Sequence, residues 1–163
     1  MTHELLLFTH LIGLALFLMA HGASVFLSAS LGRERAPERL RAMLDLSMNS
    51  LVTSYVGLIV LIASGVALGF VGQFWSAGWI WTSLLLLIGL VLFMMYMGMT
   101  YFSKIRRAVG LLPYRRSHQM QLGPEASPQD LEKLLTSAKL PITVVVGGLG
   151  LLVLIGLMVF KPF

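Results

Sequence analysis

Four stretches of this chain stay apolar long enough to matter, at roughly 4–31, 48–72, 79–102 and 140–160, and the charged residues crowd into the gaps between them. About 20 mostly apolar residues, rising 1.5 Å each, cross the roughly 30 Å of bilayer hydrocarbon. Lipid offers backbone N–H and C=O groups no partners, so each span must be a helix. The pattern therefore predicts an all-α fold: a single transmembrane domain over 1–163, built as a four-helix up-down bundle. The segment at about 103–139 is then the only sizeable loop.

The gaps carry their own helix signals. Pro37 suits a first helical turn. Leu40, Met43 and Leu44 follow it on one face, so the second helix is expected to begin ahead of its apolar run. Further on, Ser127 is placed to cap a helix, with Pro128 in its first position and Asp130 in its first turn. That helix should lead toward the fourth span, with Pro141 marking its entry or a kink.

Small residues suggest where spans meet. Ser50, Ser54, Gly57, Leu61 and Ser64 form a stripe on the second span, and Gly65 and Gly69 add a small-xxx-small pair. The fourth span holds Gly147, Gly148, Gly150 and Gly156. Such residues let helices approach closely in lipid. Packing within the chain is the expected use, with a homodimer face as the alternative. Trp75, Trp79 and Trp81 flank the short link between spans two and three, as an interfacial belt would, and Phe160, Lys161 and Phe163 are placed to anchor the far end.

Charge orients the bundle. Arg33, Arg35, Arg39 and Arg41 lie between the first two spans. Lys104, Arg106, Arg107, Arg115, Arg116, Lys133 and Lys139 lie between the last two, and only Lys161 remains elsewhere. This is the positive-inside pattern, which puts both basic loops in the cytoplasm and both termini outside a cytoplasmic (inner) membrane. The net charge of +5 is thus explained by topology, not by nucleic-acid binding. Composition agrees: 57% of residues are hydrophobic and 12% charged, against about 25% charged in a soluble domain. The first run has no positive charge before it and no A-x-A-like site leading into a soluble domain, so it reads as a permanent span.

Little in the chain points to catalysis. There is no cysteine, which removes disulfides, iron–sulfur clusters and thiolate metal sites. No Asp, Glu, Lys or Arg lies deep in a span, which argues against proton coupling and charged-substrate transport. Paired carboxylates and a Ser-His-Asp arrangement are missing. The "GGLG" at 147–150 lies inside an apolar run with no following Lys-Ser/Thr, so it is no phosphate loop.

Two histidines stand out, because "LFTHLIGLALFLMAHGASVFL" is otherwise almost wholly apolar. His10 and His21 are eleven residues apart, so they point within about 20° of each other, about 16 Å apart along the helix. His3 shares their face at the wet edge, and His118 lies in a polar loop. An imidazole in hydrocarbon is costly unless it is paired. His10 and His21 are therefore either ligands for haem or copper or partners in an interhelical hydrogen bond, with Ser54, Tyr55, Ser64 and Tyr96 as candidate hydroxyls. For His21, nearer the basic loops, the hydrogen bond is the expected use. One haem cannot reach both. A second axial ligand within the chain would be methionine: Met94, amid Met95, Met97 and Met99, lies nearer in depth to His21, and Met158 nearer to His10.

"FTHLIGLALFL" in span one, "GWIWTSLLLL" opening span three, "KIRRA" closing it and the terminal "LMVFKPF" resemble a bacterial superfamily of small four-helix membrane proteins. It includes copper-resistance CopD-like proteins, HemJ-type protoporphyrinogen oxidases and relatives of unassigned role, which the chain resembles most. The resemblance implies that His10 matches a haem-linked histidine. It also implies a functional lysine soon after the "GW" of span three. Here that region reads Gly78-Trp79-Ile80-Trp81-Thr82-Ser83, without a lysine.

The expectation is a non-catalytic membrane protein, a helix-bundle subunit or partner within a larger complex, with His10 on its first helix as the candidate ligand should it carry one b-type haem. The alternatives are a HemJ-type haem-dependent oxidoreductase and a copper-handling protein of the CopD-like type.

Overall fold

Each apolar run lies within one long helical stretch. The computed structural model describes residues 2–113 and 126–162. His118, Arg115, Arg116 and Phe163 lie outside the described residues. Helix α1 runs Thr2–Leu31, α2 Pro37–Val71, α3 Gly78–Met97, α4 Ser103–Ala108, α5 Pro128–Leu135 and α6 Lys139–Phe160. There is no strand among the described residues. Four helical stretches are long and apolar enough to cross a membrane: Thr2–Leu31, Pro37–Val71, Gly78–Ala108 and Pro128–Phe160.

The local signals translate directly. Pro37 opens α2 ahead of its apolar run. Ser127 caps α5, accepting the Asp130 N–H at 3.2 Å, with Pro128 in the first position. Pro141 falls in the first turn of α6, where its missing N–H costs no intrahelical bond. The third span runs further than its apolar stretch. Between α3 and α4 the chain keeps turning as a π-helix, Gly98–Phe102, in which the Ser103 hydroxyl donates to the Gly98 carbonyl at 2.8 Å. Residues 103–108, expected in the loop, are therefore helical. Gly110, at φ 77°, supplies the left-handed turn that ends this stretch.

The spans are arranged in the order α2, α1, α6, α3. Helices α1 and α2 lie backbone to backbone. A Cβ on Gly13 would stand 2.7 Å from the Leu61 nitrogen, and one on Gly57 would stand 2.6 Å from the Phe17 nitrogen. Helix α6 packs on α1 and α3, while α2 and α3 make almost no close approach along their lengths. The ring is open on that side. Not every small residue serves packing between helices. Gly65 does, receiving the His10 ring of α1, whereas Gly69 receives the Trp75 ring of the link and Gly148 meets nothing within 4 Å.

The tightest core lies at the basic-loop end, not mid-span. Leu31, Leu40, Leu44, Tyr101, Phe102, Ile105, Val109, Leu135 and Leu140 form one buried cluster there. Arg106, expected as a solvated loop charge, is only 5% exposed. Its Nη1 donates to the Leu44 carbonyl at 2.9 Å, its Nε to the Leu112 carbonyl at 2.6 Å, and its Nη2 pairs with Asp45 at 2.9 Å. Arg41 Nε donates to the Val109 carbonyl at 2.6 Å, and Arg35 pairs with Glu132 at 2.6 Å, tying the first loop to α5.

The opposite end is closed by aromatics. Trp79 is buried and Trp75 packs on Phe70 and Gly69, so of the three tryptophans only Trp81 faces outward as a belt residue would. The Lys161 ammonium lies 4.9 Å from the Phe74 ring centre and 5.6 Å from that of Trp79, clasping the end of α6 to the link.

Candidate functional site

The two intramembrane histidines end up in different surroundings. His10 Nδ1 lies 3.1 Å from the Ser64 hydroxyl, one of the partners the sequence offers. That hydroxyl sits 2.6 Å from the Val60 carbonyl, to which it donates its single proton. It must then accept from His10, which makes His10 the Nδ1–H tautomer and leaves Nε2 with a free lone pair. The ring rests on Gly65.

His21 has no such partner. Its Nε2 is buried and makes no hydrogen bond among the described residues. None of the four candidate hydroxyls reaches it. Its ring stacks on Phe17, with centres 5.4 Å apart and planes at 20°. An unpaired polar atom in such a place costs on the order of 1–3 kcal/mol, which a polar or metal-bearing ligand would recover.

What His21 faces is a cleft of about 550 Å³, well within the roughly 300–1,000 Å³ of ordinary ligand sites. The open side between α2 and α3 makes it. One wall carries hydroxyls: Ser24 and Ser28 from α1, Ser47 and Ser54 from α2. Three of these are already satisfied. Ser28 donates to the Ser24 carbonyl at 2.8 Å, and Ser47 reaches the Ser24 hydroxyl, which itself lies 2.9 Å from that of Ser50. The facing wall is thioether: Met94, Met95, Met97 and Met99.

His21 and Met94 meet over Gly147 of α6. A Cβ there would stand 3.3 Å from His21 Nε2 and would clash with the Met94 methyl. The missing side chain is what lets the imidazole and the thioether share one spot. The π-turn lies on the same cleft, contributing Gly98, Met99 and Phe102. π-Turns are rare and are frequent at functional sites, because the extra residue widens the helix and re-aims the side chains around it.

Of the residues singled out from sequence, His21 and Met94 are thus brought together. His10 does not line this cleft, and Met158 is partly exposed near the far end of α6, away from it. The hydroxyl wall and Gly147 were not assigned to a site from sequence. Of these serines only Ser54 belonged to the small-residue stripe legible on the second span, and the Gly147 contact depends on how α6 is rotated against α1. No cluster of three or more His, Cys, Asp or Glu residues able to hold a metal occurs among the described residues.

Comparison of the chain with family models, with curated proteins and with solved structures gives no match.

Proposed function

We propose that the chain is a non-catalytic subunit or partner in a larger cytoplasmic-membrane complex, and that its cleft holds one b-type haem through His21. The basic loops face the cytoplasm and both termini face outward in this reading, as the arginine and lysine placement requires. The observation that carries the haem assignment is the buried, unpartnered Nε2 of His21 at the edge of a cleft of suitable volume. The donor types fit: the neutral imidazole of His21 and the thioether of Met94 would hold the iron, and both are ligands that haem iron takes. The resemblance to proteins with a haem-linked first helix supports the same cofactor, although it points to His10. Bound there, the haem would supply one-electron chemistry. The protein's part is to orient the imidazole, through the Phe17 stack, and to exclude water.

The test is optical. Protein purified from haem-replete cells should show a Soret band that His21→Ala abolishes and His10→Ala retains. A band lost instead in His10→Ala would move the site to the other histidine. No band in either protein would end the haem assignment.

A second reading has its own observation. The convergence of His21 Nε2 and the Met94 methyl on Gly147 is narrow, and a single cuprous ion takes imidazole and thioether ligands in tight quarters. Copper found by metal analysis without a Soret band, and lost in Met94→Leu, would replace haem with copper.

A further inference from the structure

We infer that the cleft is loaded sideways from the bilayer, through the gap between α2 and α3, and that its ligand is therefore a membrane-dissolved amphiphile with one polar or metal-bearing centre for His21. This rests on the reading of the cleft as a ligand site and adds the route and the chemical class.

Among the described residues, both ends of the bundle and the α1–α2 seam are closed. At the basic-loop end the path meets the buried cluster around Leu44 and Ile105, with Arg106 bonded across it. At the link end it meets Trp75 and the buried ring of Trp79. The α1–α2 seam is closed at the backbone by Gly13 and Gly57, and α6 fills the space between α1 and α3. On the α2–α3 side there is no such seal. The cleft's rims there are Val52 and Tyr55 on α2 and Met95 on α3, all exposed and apolar or amphipathic.

The lining matches a lipid-borne ligand. It includes no charged side chain, so a water-borne ion or metabolite would find nothing to replace its hydration. The serines are largely bonded to one another, which leaves His21 as the main unmet polar demand. An amphiphile whose apolar body fills the cleft and whose metal or polar centre lies near His21 meets that demand, with any ionised group left outside the uncharged lining, in the gap between α2 and α3. The flexible thioethers of Met95 and Met99 at the rim can adapt to such a body. The gap is also held at both ends, by the link and by the Arg106 contacts, so it can stay open without the bundle coming apart.

The chain has no cysteine, so a nitroxide can be placed at one site at a time in the full-length protein in lipid vesicles. Labels at Leu51→Cys and at Val91→Cys report the two sides of the cleft, with Leu149→Cys as a lipid-facing reference and Arg39→Cys as a water-facing one. Both cleft labels should be reached by dissolved oxygen as readily as Leu149 and stay shielded from a water-soluble nickel chelate. Two labels on separate helices keep the test standing if one variant fails to fold. Access of the chelate comparable to that at Arg39 would mean an aqueous route and overturn the inference. Exclusion of both probes would mean that a second copy or a partner helix covers the gap, and would overturn it equally. Neither outcome depends on the Soret band, so the route and the haem assignment fail separately.

Discussion

The basic-loop end and the mid-span cleft are built from similar apolar residues and solve opposite problems. At the loop end, Leu40, Leu44, Ile105 and Val109 are essentially fully buried, and a guanidinium bonded to two carbonyls and a carboxylate locks them down. Around His21 the walls part, and a polar atom goes unmet. The difference follows from the solvent each region displaces. Beyond the hydrocarbon, burying a leucine removes it from water and gains the full hydrophobic term. Within the hydrocarbon, lipid is as apolar as leucine, and only close packing and hydrogen bonds hold helices together. A cleft can persist there at little cost, and the dense cluster at the water-facing end supplies the rigidity that holds it open.

Truncation should expose that contrast most strongly. Leu44→Ala or Ile105→Ala should lower stability by about 3 kcal/mol, near the middle of the range for fully buried aliphatic side chains. Val91→Ala, on the cleft wall, should cost less than about 1 kcal/mol, because the space it leaves joins an existing void that lipid can fill. Unfolding by sodium dodecyl sulfate in mixed micelles, followed by helical circular dichroism, measures both. Equal losses at the two places would erase the distinction.

Arg106 tests whether the lock is polar as well as apolar. Arg106→Leu should cost about 3 kcal/mol, since it leaves the Leu44 and Leu112 carbonyls and the Asp45 carboxylate without their donor. Asp45→Asn should cost far less, because Asp45 is half exposed and water takes its place. The sequence did not reveal this residue's role. Counting arginines locates a loop, and it cannot say which of them turns inward. The spans, by contrast, were legible, because twenty apolar residues have few alternatives in lipid. The α5 cap was legible too, because Ser-Pro-x-Asp is a local signal that needs no tertiary context. The partnership of His10 with Ser64 could be narrowed to a few hydroxyls but not chosen among them. Met94 could be matched to His21 in depth but not in direction, and the open α2–α3 side could not be read at all, since both depend on how four helices are rotated about their axes.

Glycines separate seam from cleft at finer grain. Gly57→Ala sets a methyl against the α1 backbone, which cannot step aside, and should cost about 2 kcal/mol. Gly147→Ala meets the free end of Met94, which can swing away, so stability should change by less than about 1 kcal/mol. The same methyl stands 3.3 Å from His21 Nε2 and should weaken or abolish whatever ligand binds there. Loss of the Soret band with an unchanged unfolding midpoint is the expected signature. A retained band would place the ligand away from Gly147.

The smallest effect concerns acid and lies wholly at the loop end. The Glu34 carboxylate accepts the backbone N–H groups of Ala36 and Arg35, each at 2.9 Å, with Arg39 nearby at 3.7 Å, and these hold its pKa below the usual 4.5. At the start of α5 the Ser127 hydroxyl, then Lys133, lowers Asp130 in the same way. A lowered carboxyl stabilises the fold above its unfolded pKa, and that contribution drains away as pH falls through the lowered folded value. Asp130 is exposed and Glu34 lies part-covered at the surface of a loop, so the effect is slight. Acidification below about pH 4.5 should loosen the loop end, seen as faster amide exchange around Pro37 and Pro128 while the cleft labels keep their oxygen accessibility. Glu34→Gln should remove the part of this response around Pro37 and leave the part around Pro128. If acid instead changed the cleft first, the two regions would be coupled more tightly than their packing implies.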